Sequence, residues 1–168
     1  ENASNQSLLI LVDSEQVQHA TNTYQINNLN TLIESTQFKA TLAETLPLIG
    51  QVSNCTHSVF VGIGKAIELK AAKLAKIAQT IIKSSQKKFK QISVDISSLP
   101  QELHYLFALS LTQAAYAFDE YKSKKNEFIL EQVNLIATNS PLNQQQLTLI
   151  EAIQSGQNHF SHINRLLF

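Results

Sequence analysis

Residues Ser58–Ile96 read SVFVGIGKAIELKAAKLAKIAQTIIKSSQKKFKQISVDI, and this stretch decides the fold. Ser58-Val59-Phe60-Val61 is a β-branched and aromatic run with the character of a buried strand. Gly62-Ile63-Gly64-Lys65 breaks it, and Ala66 to Ser84 continues at helical period. Ile92-Ser93-Val94-Asp95-Ile96 then closes a strand–helix–strand unit, which requires the two strands to run parallel. At 3.6 residues per turn, Ile67, Ala71, Leu74, Ala78, Ile81 and Ile82 form one apolar stripe, expected to face a sheet. Lys70, Lys73, Lys76 and Lys83 fall on the opposite side.

Upstream, residues 1–7 are polar and expected to fray, and Leu8 to Val12 (LLILV) is a first buried strand stopped by Asp13-Ser14. Leu29, Leu32 and Ile33 are spaced for a short helix within Ile26–Thr36. Phe38–Thr45 alternates loosely and is followed by Leu46–Gly50, a pair expected to form a hairpin or meander with Pro47 at an edge. Downstream, Leu99-Pro100 opens a long helix, since proline suits the first turn and Glu102 the positive end of the dipole. Leu103, Leu106, Phe107, Ser110, Leu111, Ala114 and Phe118 give that helix a wide apolar face. Asp119–Asn126 is a charged loop, Glu127–Ala137 a strand, and Leu142 onward a last helix spaced by Leu147, Ile150 and Ile153. Leu166-Leu167-Phe168 ends the chain as an apolar tail, exposed or awaiting a partner. The resulting order, β-α-β-β-β-α-β-α-β-α, predicts an α/β domain: a mixed sheet flanked by helices on both faces.

The 168 residues suit one domain, 1–168, with 43% hydrophobic and 15% charged residues. Formal charge sums to zero but is unevenly placed. Lys65–Lys90 holds eight lysines and one acid, Glu68, while the remainder carries a matching negative excess. One electropositive face follows, able to meet a phosphate backbone or an acidic partner, or simply to be a solvated helix face. The single cysteine, Cys55, excludes an internal disulfide and points to a reducing compartment. No apolar run reaches membrane-spanning length and no basic-then-apolar leader is visible, so neither a membrane segment nor a signal peptide is expected. Methionine is missing throughout, position 1 included, which suggests a fragment or a processed chain.

Candidate chemistry is thin. Gly62-Ile63-Gly64-Lys65-Ala66 after a strand invites a phosphate-loop reading, but a P-loop needs four residues between its glycines and a hydroxyl after the lysine. A dinucleotide fingerprint needs a third glycine where Ile67 stands, so a tight strand-to-helix turn fits better. His159 and His162 have a spacing that can hold a metal, without a carboxylate in the next turn; surface histidines fit better. Asp119 and Glu120 lie in a lysine-rich stretch that keeps paired acids ionised and solvated. Cys55 sits in a polar turn beside His57, with nothing to mark it as a nucleophile.

Three landmarks resemble the N-terminal domain of the cytosolic leucine aminopeptidase (leucyl aminopeptidase) family. Val61-Gly62-Ile63-Gly64-Lys65, before an alanine- and lysine-rich helix, is similar to that family's strand and VGLGK turn. Ala115–Lys124 (AYAFDEYKSK) is similar to its Y-x-F-D-x-Y-K-S stretch at a helix end. Ile153-Gln154-Ser155-Gly156-Gln157 resembles the helix leading toward its catalytic domain. Where the family reads Arg-Asp-Leu, a residue, then Asn and Pro, this chain has Ser161-His162-Ile163-Asn164-Arg165-Leu166, an atypical junction over 158–168.

The resemblance implies a macro-domain-like accessory domain without catalysis of its own. It implies a cytoplasmic parent that removes N-terminal residues from peptides with two divalent ions, zinc or manganese, as a hexamer. Those ions belong to a C-terminal catalytic domain of the same polypeptide, and no metal ligand maps onto this chain. The resemblance further implies support of assembly and non-specific DNA contact, for which Lys70, Lys73, Lys76, Lys83, Lys87 and Lys88 are the candidates. The alternatives are a stand-alone macro-like ligand-binding module and a truncated paralogue with a partner-binding role. With only Gly50, Gly62, Gly64 and Gly156 available, the glycine-rich loop that would admit the diphosphate of ADP-ribose is missing.

Overall fold

The computed structural model describes residues 6–17, 24, 26, 28–48, 52, 55, 57–120, 129–137 and 165–167. Strands β1 (Gln6–Asp13), β2 (Thr45–Pro47), β3 (His57–Gly64), β4 (Gln91–Asp95), β5 (Gln132–Ile136) and β6 (Arg165–Leu167) form one sheet in the order β2-β3-β1-β4-β5-β6. Every pairing is parallel except that of β2 with β3. Among the described residues three α-helices accompany it: α1 (Leu29–Thr36), α2 (Ala71–Ser85) and α3 (Gln101–Glu120).

β1 occupies the interior of the sheet because Leu8–Val12 is an unbroken apolar run, as suits a strand covered on both faces. Leu9 and Leu11 project to the side that holds α2 and α3, joining Val61, Ile63, Ile92, Val94, Val133 and Leu135. Leu8, Ile10 and Val12 project to the other, joining Phe60, Leu29, Phe38 and Leu46. Helices therefore flank both faces of a mixed sheet, as the element order predicts. Phe38 and Phe60 stack with ring centroids 6.2 Å apart, which ties the segment after α1 to the sheet.

The strand–helix–strand unit forms, and β3 and β4 are parallel, but they are not neighbours: β1 lies between them. Periodicity reports which residues are buried, not which strand a strand meets. The helix also begins later than its apolar spacing suggests. Ala66–Glu68 is one 3-10 turn, and Leu69 and Lys70 are extended before α2 starts. That break turns Ile67 out of the stripe, leaving it 91% exposed. Ala71 is exposed too, and Ile77 takes the buried place between Leu74 and Ile81.

Phe38–Thr45 does not pair with Leu46–Leu48 in a hairpin, and residues 49 and 50 of that expected pair lie outside the described residues. Instead the chain from Ala40 to Pro47 runs once alongside β3, with Gly64 N donating to Ala40 O, Ala43 N to Gly62 O and Gly62 N to Glu44 O. Left-handed Ala40 (φ 52°) and Ala43 (φ 66°) interrupt the ladder, so only Thr45–Pro47 remains regular strand. Pro47 sits on an edge strand, as expected, because proline has no N–H to give a further neighbour.

Two further boundaries move. Asp119 and Glu120 belong to the last turn of α3, not to a loop. The apolar tail supplies β6: Arg165, Leu166 and Leu167 pair with Gln132, Val133 and Asn134. Gln6 and Ser7 are already strand, while the loop after Glu120 and the helix expected from Leu142 lie outside the described residues.

Candidate functional site

The basic stretch is laid out by α2. Its buried side carries Leu74, Ile77, Ala78, Ile81, Ile82 and Ser85. At about 100° per residue this places Lys73, Lys76 and Lys83 together on the opposite side, spread over about 15 Å of axis. Lys70 is not in the helix but at its N-cap, extended at φ −134° and ψ 166°. Lys87 and Lys88 lie in the exposed turn after Ser85. Three of the six lysines thus lie on α2 itself and three flank its ends.

Acids neutralise part of this charge. Lys73 Nζ is 3.2 Å from Glu68, Lys65 Nζ 3.0 Å from Glu15, and Lys90 Nζ 4.0 Å from Glu131. The hydrogen bond that Lys65 donates to Glu15 and the carboxylate's negative charge raise the Lys65 pKa, so that ammonium stays protonated. These are exposed pairs of small energetic weight. Among the described residues no carboxylate pairs with Lys70, Lys76, Lys83 or Lys88. Those four define the net positive surface.

The Gly62–Lys65 turn serves the fold. A Cβ on Gly62 would strike the Thr41 carbonyl oxygen and the Ala40 carbonyl carbon and lie 2.7 Å from Ala40 Cα. Gly64 takes φ +71°, which glycine adopts freely. The backbone N–H groups that a phosphate cradle would need are already engaged, Gly62 with Glu44 O and Gly64 with Ala40 O. At the carboxyl ends of β1 and β3, where parallel sheets usually receive ligands, the two loops are tied together. Ser14 N donates to Gly64 O (3.0 Å), and the buried Asp13 carboxylate accepts from Glu15 N (2.8 Å) and Ala66 N (3.3 Å). Asp13 reads in the sequence only as a strand stop; its role as a latch across 53 residues depends on β1 and β3 being neighbours.

A second carboxylate at a strand end has a similar use. Asp95, 7% exposed, accepts from Ser97 N at 2.8 Å and from the Tyr24 hydroxyl. Burial and that carboxylate raise the Tyr24 pKa above the usual tyrosine range. Neither residue stands out in the sequence, because 71 positions separate them. Cys55 is half-buried and free. His159 and His162 lie outside the described residues. Among the described residues no three His, Cys, Asp or Glu side chains converge as a metal site, so this part of the chain does not fit a two-metal centre. No helix of the described residues is long and apolar enough to cross a membrane.

A model of the cytosol aminopeptidase family, N-terminal domain, matches residues 10–125. The chain is 64% identical over 159 residues to a probable cytosol aminopeptidase of Acinetobacter baumannii (strain ATCC 17978), covering 95% of this chain and 33% of that protein. It is 54% identical over 157 residues to the probable cytosol aminopeptidase of Acinetobacter baylyi, again covering 33% of it. The chain thus spans about a third of the length of the curated relatives it matches. Among solved structures, a tomato leucine aminopeptidase mutant superposes with a TM-score of 0.64 over 88% of this chain at 11% identity. The bottromycin maturation enzyme BotP superposes with a TM-score of 0.59 over 89% at 14% identity. Those two similarities concern the fold.

Proposed function

This chain belongs to the cytosol aminopeptidase family, and on that premise we propose that residues 1–168 act as the N-terminal accessory domain of a cytoplasmic leucyl aminopeptidase. In that enzyme the rest of the polypeptide carries the peptidase site and its two divalent ions, zinc or manganese. The supporting observation is the match of residues 10–125 to the family's N-terminal domain, in a chain covering a third of its relatives. The chemistry of the described residues is consistent with this role. The carboxylates that lie at strand ends, Asp13 and Asp95, are committed to backbone and tyrosine donors. They hold loops, and hydrolysis with two metals needs clustered ligands free to bind them. The domain, macro-domain-like in this reading, then contributes to assembly of a hexamer and to access to the peptidase site.

The test is the coding sequence beyond residue 168. A frame that continues through roughly twice the present length, with a lysine- and carboxylate-bearing metal site, supports the reading. A stop codon directly after Phe168 contradicts it and favours a stand-alone paralogue.

The lysine stripe favours a second role for the same domain, sequence-blind contact with DNA. Lys70, Lys76, Lys83 and Lys88 would meet phosphates as point charges, with Lys73 and Lys87 beside them. Binding to random duplex should weaken steeply with salt. Reversing Lys76 and Lys83 to Glu should reduce the slope of log K against log salt by about 2, each phosphate contact contributing about 0.9. An unchanged slope, measured by fluorescence anisotropy, would remove this role and leave the accessory reading standing.

A further inference from the structure

At the amino end of β3, away from the Lys65 turn, the sheet is left partly uncovered. β2 has only three residues and α2 stops at Ser85, so among the described residues no helix continues over the sheet beside Pro47 and Val59. A cleft of about 620 Å³ opens there, a size that holds small ligands. Leu9, Pro47, Val59 and Phe89 give it an apolar lining. His57 packs edge-on against Phe89 with ring centroids 5.3 Å apart, so the two rings brace each other.

The polar part of the lining has one sign of charge. Among the described residues, Lys88 is its only Lys, Arg, Asp or Glu side chain, and no carboxylate pairs with it. The other polar groups of the described lining are the His57 imidazole and the hydroxyls of Ser7, Thr45, Ser58, Ser84 and Ser85. Ser84 donates to Ile81 O and Ser58 to Leu48 O, and both hydroxyl oxygens keep lone pairs that can accept from a ligand.

An apolar cleft with a single uncompensated ammonium complements one chemistry. We propose that it binds a small monocarboxylate with an apolar body, the carboxylate on Lys88 and the body against Val59, Pro47 and Phe89. A charge-assisted hydrogen bond to the ammonium supplies the discrimination, and burial of the apolar body supplies the rest of the affinity. An N-acylated amino acid and a fatty acid share this chemistry. The hydroxyl rim would favour the first, whose amide N–H can donate to it.

The experiment is an NMR titration of the 168-residue chain with N-acetyl-leucine, octanoate and N-acetyl-leucinamide to millimolar concentration. Either acid should shift the Val59 and Phe89 amides saturably, and the tighter acid identifies the source. The leucinamide, lacking the charge, should bind at least about tenfold more weakly. Lys88→Gln, at an exposed turn position, should weaken the acids by the same factor and leave the leucinamide unchanged. Lys76→Gln, outside the lining, should alter nothing. Equal affinity for acid and amide, indifference to Lys88→Gln, or no saturable shift with either acid would overturn the proposal.

Discussion

Single residues here are constrained mainly by what crosses between segments. Gly62 is the sharpest case, since the chain around Ala40 and Thr41 passes within a Cβ's reach of it. Backbone atoms cannot swing aside as a flexible side chain would. Gly62→Ala should therefore cost about 3 kcal/mol, the upper part of the range for overpacking. In a domain of this size that lowers the thermal midpoint by roughly 10 °C, readable by circular dichroism. The resemblance of the Val61–Lys65 run to a family turn was legible in the sequence; the reason for its first glycine was not, because the Ala40 arch is remote in the chain. Tyr24 and Asp95 make the same point through titration. The folded-state pKa of Tyr24 lies above its unfolded value, so the stabilisation it contributes is complete below about pH 10 and declines as pH rises further. Tyr24→Phe should lose about 1.5 kcal/mol at neutral pH, the scale of a hydrogen bond to a charged group. The gap between the two proteins should close as unfolding is measured at increasingly alkaline pH, and a constant gap would show that the Tyr24–Asp95 bond is not its source.

At the scale of elements, α2 is the instructive one. Its apolar face was legible from 3.6-residue spacing at Leu74, Ala78, Ile81 and Ile82, all buried. Ile67 was misplaced because the same spacing continues backward across a break that periodicity cannot register. The break also puts Lys70 at the N-cap, with no side-chain cap and no acid in the first turn. A cation there opposes the helix dipole and leaves N–H groups uncapped. Lys70→Asp should stabilise the domain by about 1 kcal/mol, since the extended N-cap conformation already suits a capping carboxylate. The same variant should bind DNA more weakly if the lysine stripe is used, an exchange of stability for function. Calorimetry and anisotropy on one sample decide both, and a loss of stability would mean that Lys70 makes a local contribution beyond its charge. β6 was illegible for another reason. Three residues carry too little pattern to mark a strand, and Arg165–Leu167 becomes one only because β5 offers an edge.

The whole molecule is a sheet with apolar side chains on both faces, and that much follows from LLILV and the alternation of Ile92 and Val94. Strand order was not legible, since local pattern is the same whether β1 lies inside or outside the β3–β4 pair. The run of lysines was legible in the sequence, though only Lys73, Lys76 and Lys83 lie on α2 and Lys70, Lys87 and Lys88 flank it, while the cleft beside Phe89 and the latch at Asp13 depend on contacts between distant segments. On the proposed function, this domain supports a metallopeptidase without performing its chemistry. The direct measurement is release of leucine from a leucyl peptide by the purified 168-residue chain with manganese or zinc added. No turnover above a metal-free blank is expected, and metal-dependent turnover that rises with the concentration of this chain would overturn the accessory role.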